Sequence, residues 1–189
     1  VIAKTSGMSF EDYVQRNILA PLGMKHSTLL IRNVNAQQLV TPHVCHKSGE
    51  VTVSSVFPYN RPHAPSSTLY STVEDMNLWA LANLNRGELD GRRILQASSY
   101  DLLWTPQVDV PEPPNAPYKV KVGLSWFLLE HRGHRLVGHG GSDRGFQTFL
   151  VLAPDDGVAV VMMINCSSDA FNIDSLTLKI MNLVLGLEG

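Results

Sequence analysis

The chain has 189 residues, enough for one large domain or one and a half small ones, and 44% apolar side chains supply a core. Its 15 basic and 17 acidic residues nearly cancel, which argues against a nucleic-acid partner, since that needs a basic face. It has no Lys/Arg run of the membrane-surface or nuclear-signal kind, and no apolar run reaches the length of a membrane span.

The chain opens on Val1, and VIAKTSG reads as the tail of a helix stopped by Gly7. From that opening we expect the natural start, and any signal peptide with it, to lie upstream. SFEDYVQRNILAPLGM follows as a helix. Ser9 is a good N-cap with Asp12 three residues on. Phe10, Tyr13, Val14 and Ile18 share one face, and Pro21 and Gly23 close the segment. Residues 30 to 70 are mixed, with short extended candidates in QLVTPHV and EVTVSSVF and a Pro/Ser/Asn loop in YNRPHAPSS. STVEDMNLWALANLNRG is the clearest helix. Thr72 caps it, Glu74 and Asp75 suit its positive end, and Gly87 takes the C′ position. A shorter helix follows at ASSYDLLW, and VDVPEPPNAPY is too rich in proline for regular structure.

Beyond this the period changes to that of strands. VGLSWFLLE and RLVGHGG bracket a tight turn at His131–His134, and QTFLVLAP and GVAVVMMIN bracket the turn PDDG. Ile173, Leu176, Ile180, Leu183 and Leu187 recur at helical spacing, so the chain ends on a helix. Helices first, then an antiparallel meander closed by a helix, give an α+β layout.

Few motifs carry chemistry. The chain has no G-x-S-x-G, S-x-x-K, Y-x-N/S, P-loop, H-E-x-x-H or C-x-x-C. Cys45 and Cys166 are compatible with a disulfide but do not require one. His43, Cys45 and His46 lie close enough in HVCHK to invite a metal reading. Neighbouring strand residues face opposite ways, however, and no second cluster has ligand spacing. Surface histidines and a small buried thiol are the simpler reading, and no cofactor or metal is expected.

GHGGSD, residues 138–143, is different. Gly140 and Gly141 let a substrate lie against the backbone. An edge-strand N–H can donate to an oxyanion, which is typically worth roughly 10²–10³ in rate. His139 can orient a carboxylate or assist proton transfer. The same letters also fit a plain bulge beside a surface histidine.

Four stretches, in order, resemble the serine β-lactamase-like superfamily of class C β-lactamases, penicillin-binding D-Ala-D-Ala peptidases and related esterases. VIAKTSGMSFEDYVQRNILAPLGMKHSTL is similar to the segment after that family's catalytic tyrosine motif. APSSTLYSTVEDMNLWALANLNRG is similar to its P-A-G-G-L-x-S-T-x-x-D-M/L-x-x-W helix. VGLSWFLLEHRGHRLVGHGGSDRGF resembles the strands leading to its third motif, and APDDGVAVVMMIN its last hairpin.

The resemblance implies an antiparallel sheet flanked by helices on both faces. This chain would be the C-terminal portion of one such domain. Residues 1–118 would be mainly helix and loop, and 119–189 would be strands plus the closing helix. The N-terminal strands and the nucleophile-bearing helix would be lacking. The third motif, K-T-G or H-G-G, falls on His139, Gly140 and Gly141. The backbone N–H of Ser142 inherits one oxyanion contact. Ser66 and Ser67 replace small residues of the wall beside the substrate, and Asp143 and Arg144 would sit at the cleft mouth. Arg144 departs from the usual glycine or proline and is a candidate contact for an anionic group; it also reads as a plain solvated arginine.

A histidine where lysine is common removes a permanent carboxylate anchor, because an unperturbed histidine of pKa about 6.5 is mostly neutral at pH 7. That favours an esterase or peptidase over an efficient β-lactamase. The expected parent is a serine hydrolase of an ester, a β-lactam or a D-amino-acid peptide, with this chain inactive by itself and prone to self-association. The alternative is a non-catalytic relative that binds a ligand or partner.

Overall fold

The computed structural model describes residues 1–110, 119–168 and 171–187. Helix α1 (Ile2–Ser6) ends on Gly7, whose φ of 69° gives the left-handed turn read from the sequence. In α2 (Phe10–Val14) the Ser9 hydroxyl accepts the Asp12 N–H at 3.1 Å. The helix then widens into a π-turn over Gln15–Leu19.

Strands β1 (His43–Cys45) and β2 (Val51–Val53) are shorter than the extended stretches around them. Helix α3 (Val73–Leu84) starts on Thr72, whose hydroxyl accepts the Asp75 N–H. The left-handed position after it falls to Arg86, one residue before the expected glycine. Arg86 N–H donates to Asn83 C=O and Gly87 N–H to Ala82 C=O, a Schellman closure with Gly87 one place further out. Gly87 is still required, because a Cβ there would lie 2.3 Å from the Leu95 carbonyl oxygen.

A small hairpin, β3 (Glu88–Leu89) and β4 (Arg92–Arg93), leads to helix α4 (Ala97–Leu103). The proline-rich run opens, against expectation, on a two-residue strand. β5 (Val108–Asp109) pairs with β6 (Lys119–Val122) ahead of the first proline. Val110 N–H still bonds to Val120 C=O at 3.1 Å; residues 111–118 of the run lie outside the described residues.

The stretch expected as one strand, VGLSWFLLE, is instead the last residue of one strand, a turn, and most of the next strand. β6 turns at Gly123–Trp126 into β7 (Phe127–His131), with Gly123 N–H bonded to Trp126 C=O and Ser125 at φ 62°. The apolar letters hide the turn. Gly123 marks it, since a Cβ there would lie 2.2 Å from the Leu103 carbonyl oxygen. Strands β8 (His134–Asp143), β9 (Phe146–Ala153) and β10 (Val158–Ile164) follow. Positive φ at Arg132 and Gly133 closes β7 to β8, and Gly157 closes β9 to β10. Strand β11 (Cys166–Ser168) and helix α5 (Ile173–Val184) complete the chain.

The main sheet is antiparallel throughout, in the order β10-β9-β8-β7-β6-β5. Strand period sorts its side chains into two cores. Leu129, Leu136, Phe149, Val151 and Val160 face α5. Leu128, Val137, Leu150 and Leu152 face α3 and α4, where Ala80, Tyr100 and Trp104 receive them. The buried stripe of α5 is Ile173, Thr177, Leu178 and Met181, while Leu176 and Leu183 point outward at 44% and 54% exposure. The apolar spacing of the sequence thus ran half a face away from the buried side. Thr177 is tolerated inside because its hydroxyl donates to Ile173 C=O at 2.8 Å.

A second sheet has the order β11-β1-β2, with β1 and β11 parallel. Cys45 and Cys166 are joined across it as a disulfide, which answers the question the sequence left open. This also takes Cys45 out of any metal reading of HVCHK, and no three-residue metal cluster occurs among the described residues.

One buried carboxylate clamps the two parts of the helical layer. Asp75, 3% exposed, accepts the His26 N–H and the Ser27 hydroxyl, both at 2.7 Å. Ser27 in turn meets the Ser71 hydroxyl at 2.8 Å. Asp75→Ala strands these buried donors, so thermal melting should show a Tm lower by roughly 5–10 °C, for about 2–3 kcal/mol lost. An unchanged Tm would mean that the clamp is replaced by water.

Candidate functional site

Strand β7 ends opposite Gly138, whereas β8 continues to Asp143. Residues 139–143 therefore pair with β9 on one side and have no strand on the other among the described residues. The β8–β9 register runs without a break from Val137 to Asp143, so the glycine pair is not a bulge. The glycines have a packing reason as well. A Cβ on Gly140 would lie 2.9 Å from the Phe149 ring, and one on Gly141 would lie 2.9 Å from the Thr148 hydroxyl.

Beside this overhang lies a cleft of about 590 Å³, on the α3 side of the sheet. Six of the residues singled out in the sequence line it: Ser66, Ser67, His139, Gly140, Gly141 and Ser142. Asp143 lines it too. Arg144 does not; it lies in the turn between two lining residues, Asp143 and Phe146, and its N–H donates to the Asp143 carboxylate at 2.7 Å. Neither wall serine is poised as a nucleophile, because both hydroxyls donate to His63 C=O, at 3.1 and 3.4 Å.

His139 is exposed, and its Nδ1 lies 2.6 Å from Gly140 C=O. A carbonyl only accepts, so Nδ1 carries the hydrogen and Nε2 is left as the ring's free nitrogen. Phe127 flanks the ring, with centroids 5.3 Å apart.

The sequence reading missed the apolar half of the cleft: Phe57, Tyr70, Trp79 and Phe146. Met76 and Trp79 sit three apart on α3, and Phe146, Thr148 and Leu150 alternate on β9, so period carried a signal for these. Nothing local marks Phe57 or Tyr70. Tyr70 is held by two backbone bonds to Thr28, each 2.9 Å. Burial, with a smaller contribution from nearby Tyr59, pushes its phenol up to about 12. It therefore stays protonated at neutral pH and is no general base.

The wall beside Ser66 and Ser67 is strained. Thr68 has φ 80°, a region that a β-branched residue rarely enters. Its hydroxyl is buried and has no hydrogen-bond partner among the described residues. Thr68→Gly should relieve both penalties and raise Tm by about 2–4 °C, for about 1 kcal/mol. A fall in Tm on scanning calorimetry would show instead that the threonine side chain holds the wall.

Comparison with known proteins agrees with this fold. The Beta-lactamase family model matches residues 1–180. Protein flp of Staphylococcus aureus strain MW2 is 25% identical over 169 residues, covering 89% of this chain and 31% of its own length. The chain thus spans about a third of the curated relatives it matches. Among solved structures, the octameric penicillin-binding protein homologue from Pyrococcus abyssi superposes with a TM-score of 0.80 at 22% identity, covering 98% of this chain and 40% of that one. A class C beta-lactamase mutant gives 0.68 at 18% identity, covering 95% and 54%. With a family model matched along nearly its whole length and the fold shared with these structures, the chain belongs to the beta-lactamase family.

Proposed function

We propose that the chain forms one wall of a serine-hydrolase cleft that acts through an acyl-serine on an ester, a β-lactam or a D-amino-acid peptide. The observation that carries this reading is the β8 overhang, a glycine-rich strand edge bordering the cleft that Ser66 and Ser67 also line. In this reading the Ser142 N–H donates to the developing oxyanion. Gly140 and Gly141 let the substrate run alongside the strand. His139 presents Nε2 as an acceptor or, when protonated, as an anchor. Ser66 and Ser67 wall the substrate, and Arg144 meets charge at the rim.

Acyl transfer needs an activated nucleophile. Neither S-x-x-K nor Y-x-N/S occurs in these 189 residues. The chain alone should leave a p-nitrophenyl ester untouched, while a form extended upstream in its own reading frame should turn it over. Steady turnover by the 189-residue chain would place a nucleophile within it and overturn the assignment. An extended form with both motifs and no turnover would favour a non-catalytic binding module.

The same reading includes self-association. Among the described residues strand β10, VAVVMMI, is an edge strand of its sheet, and it carries neither charge nor proline. Leu176, Leu183 and Val184 on α5 add exposed apolar surface. Light scattering at micromolar concentration should show a dimer or larger species; a monodisperse monomer would count against it.

A further inference from the structure

The opposite face of the sheet holds a second cavity, of about 570 Å³, on the α5 side. Gly140, Gly141 and Ser142 border both it and the cleft, one on each face of the β8 overhang. No β10 residue lines it, so it lies away from that edge of the sheet. Among the described residues Asp174, in the first turn of α5, is its one charged side chain. Burial pushes the Asp174 carboxyl above its ordinary value, and no hydrogen bond or neighbouring charge among those residues opposes this. The helix does not need it as a cap, because the Asn172 side chain already accepts the Ser175 N–H at 2.8 Å. The helix dipole favours an acid in the first turn, but it does not call for one lining a cavity among aromatic rings.

Phe127, Phe149 and Phe171 line the same space, and Phe127 and Phe171 remain 38% and 39% exposed, so the core does not use up their rings. Gln147 shares a face of β9 with Phe149. Its amide oxygen is buried with no hydrogen-bond partner among the described residues, an acceptor that a turn of the side chain presents to an entering N–H. An ammonium group here would pair with a partly desolvated carboxylate and meet the negative faces of the rings. An anion would meet Asp174 as a like charge, and a neutral group would gain apolar contact only. We propose that this cavity binds an organic ammonium group, with Asp174 as its counter-ion and Phe127 and Phe171 beside it. The site lies on the α5 face and does not depend on the hydrolase reading, which concerns the α3 side.

The test titrates benzylammonium, benzyl alcohol and benzoate into nitrogen-labelled protein, both as the 189-residue chain and as a form extended upstream. The Asp174 backbone N–H and the Gln147 side-chain amide report this cavity, and the Trp79 indole N–H reports the cleft. At the first two signals benzylammonium should bind roughly three- to tenfold more tightly than benzyl alcohol, with benzoate weaker still. Asp174→Asn, close in shape, should bring the ammonium and the alcohol level; Asp174→Ser is the second variant should the first not fold. Equal binding of the ammonium and the alcohol would overturn the proposal. So would a preference that survives the loss of the carboxylate, or shifts confined to Trp79. A preference found in the 189-residue chain and lost in the extended form would overturn it too, because upstream residues would then supply the partner of Asp174. Whether the extended form hydrolyses an ester decides only the hydrolase reading.

Discussion

The structure depends on one strand being buried on both faces. β9 sends Phe149, Val151 and Ala153 toward α5 and Leu150 and Leu152 toward α3 and α4. All five are at most 8% exposed. A one-residue slip of β9 would exchange the two sets and leave neither core matched. That requirement sets the register of β8, because seven consecutive residue pairs tie the two strands together. The overhang beside the cleft is thus a consequence of core packing. β8 is held to its tip by β9, while β7 gives way at Phe127.

The cleft is assembled on that frame from the other direction. α3 reaches the sheet through Ala80 and, less buried, Trp79, and its first turn carries Asp75. By binding the backbone of His26 and the hydroxyl of Ser27, Asp75 fixes the entry to α3 and, with the Thr28–Tyr70 bridge, the course of residues 66–72. The wall serines and Tyr70 then have little freedom to move, and this tolerates a threonine at φ 80°.

How much of this could be read in advance follows from the range of each signal. β8, β9 and β10 were legible because alternation and turn residues are local. The α3 cap was legible for the same reason. The turn inside VGLSWFLLE was not, since apolar letters surround it and its positive φ falls on Ser125 rather than on a glycine or asparagine. The buried face of α5 was not legible, because a polar Thr177 lies inside and two leucines lie outside, a placement set by the sheet opposite. At the cleft, His139 to Ser142 stood out as one run. Phe57, Tyr70 and Phe146 come from three separate segments, and only the fold brings their rings together.

The small sheet explains why the hairpin tip stays in place. Gly145, at φ 87°, lies so close to Pro42 that a Cβ would approach its side chain to 2.3 Å, and its N–H donates to the Ser167 hydroxyl at 3.0 Å. Pro42 directly precedes β1, and Ser167 lies in β11. These are the two strands that Cys45 and Cys166 join across 121 residues of sequence. Closing so long a loop restricts the unfolded chain strongly, by about 4–5 kcal/mol in the chain-entropy description. The constraint acts where a two-residue turn would otherwise swing free with Ser142, Asp143 and Phe146 attached. The disulfide lies outside the cleft lining, yet it braces the surface against which that hairpin tip rests.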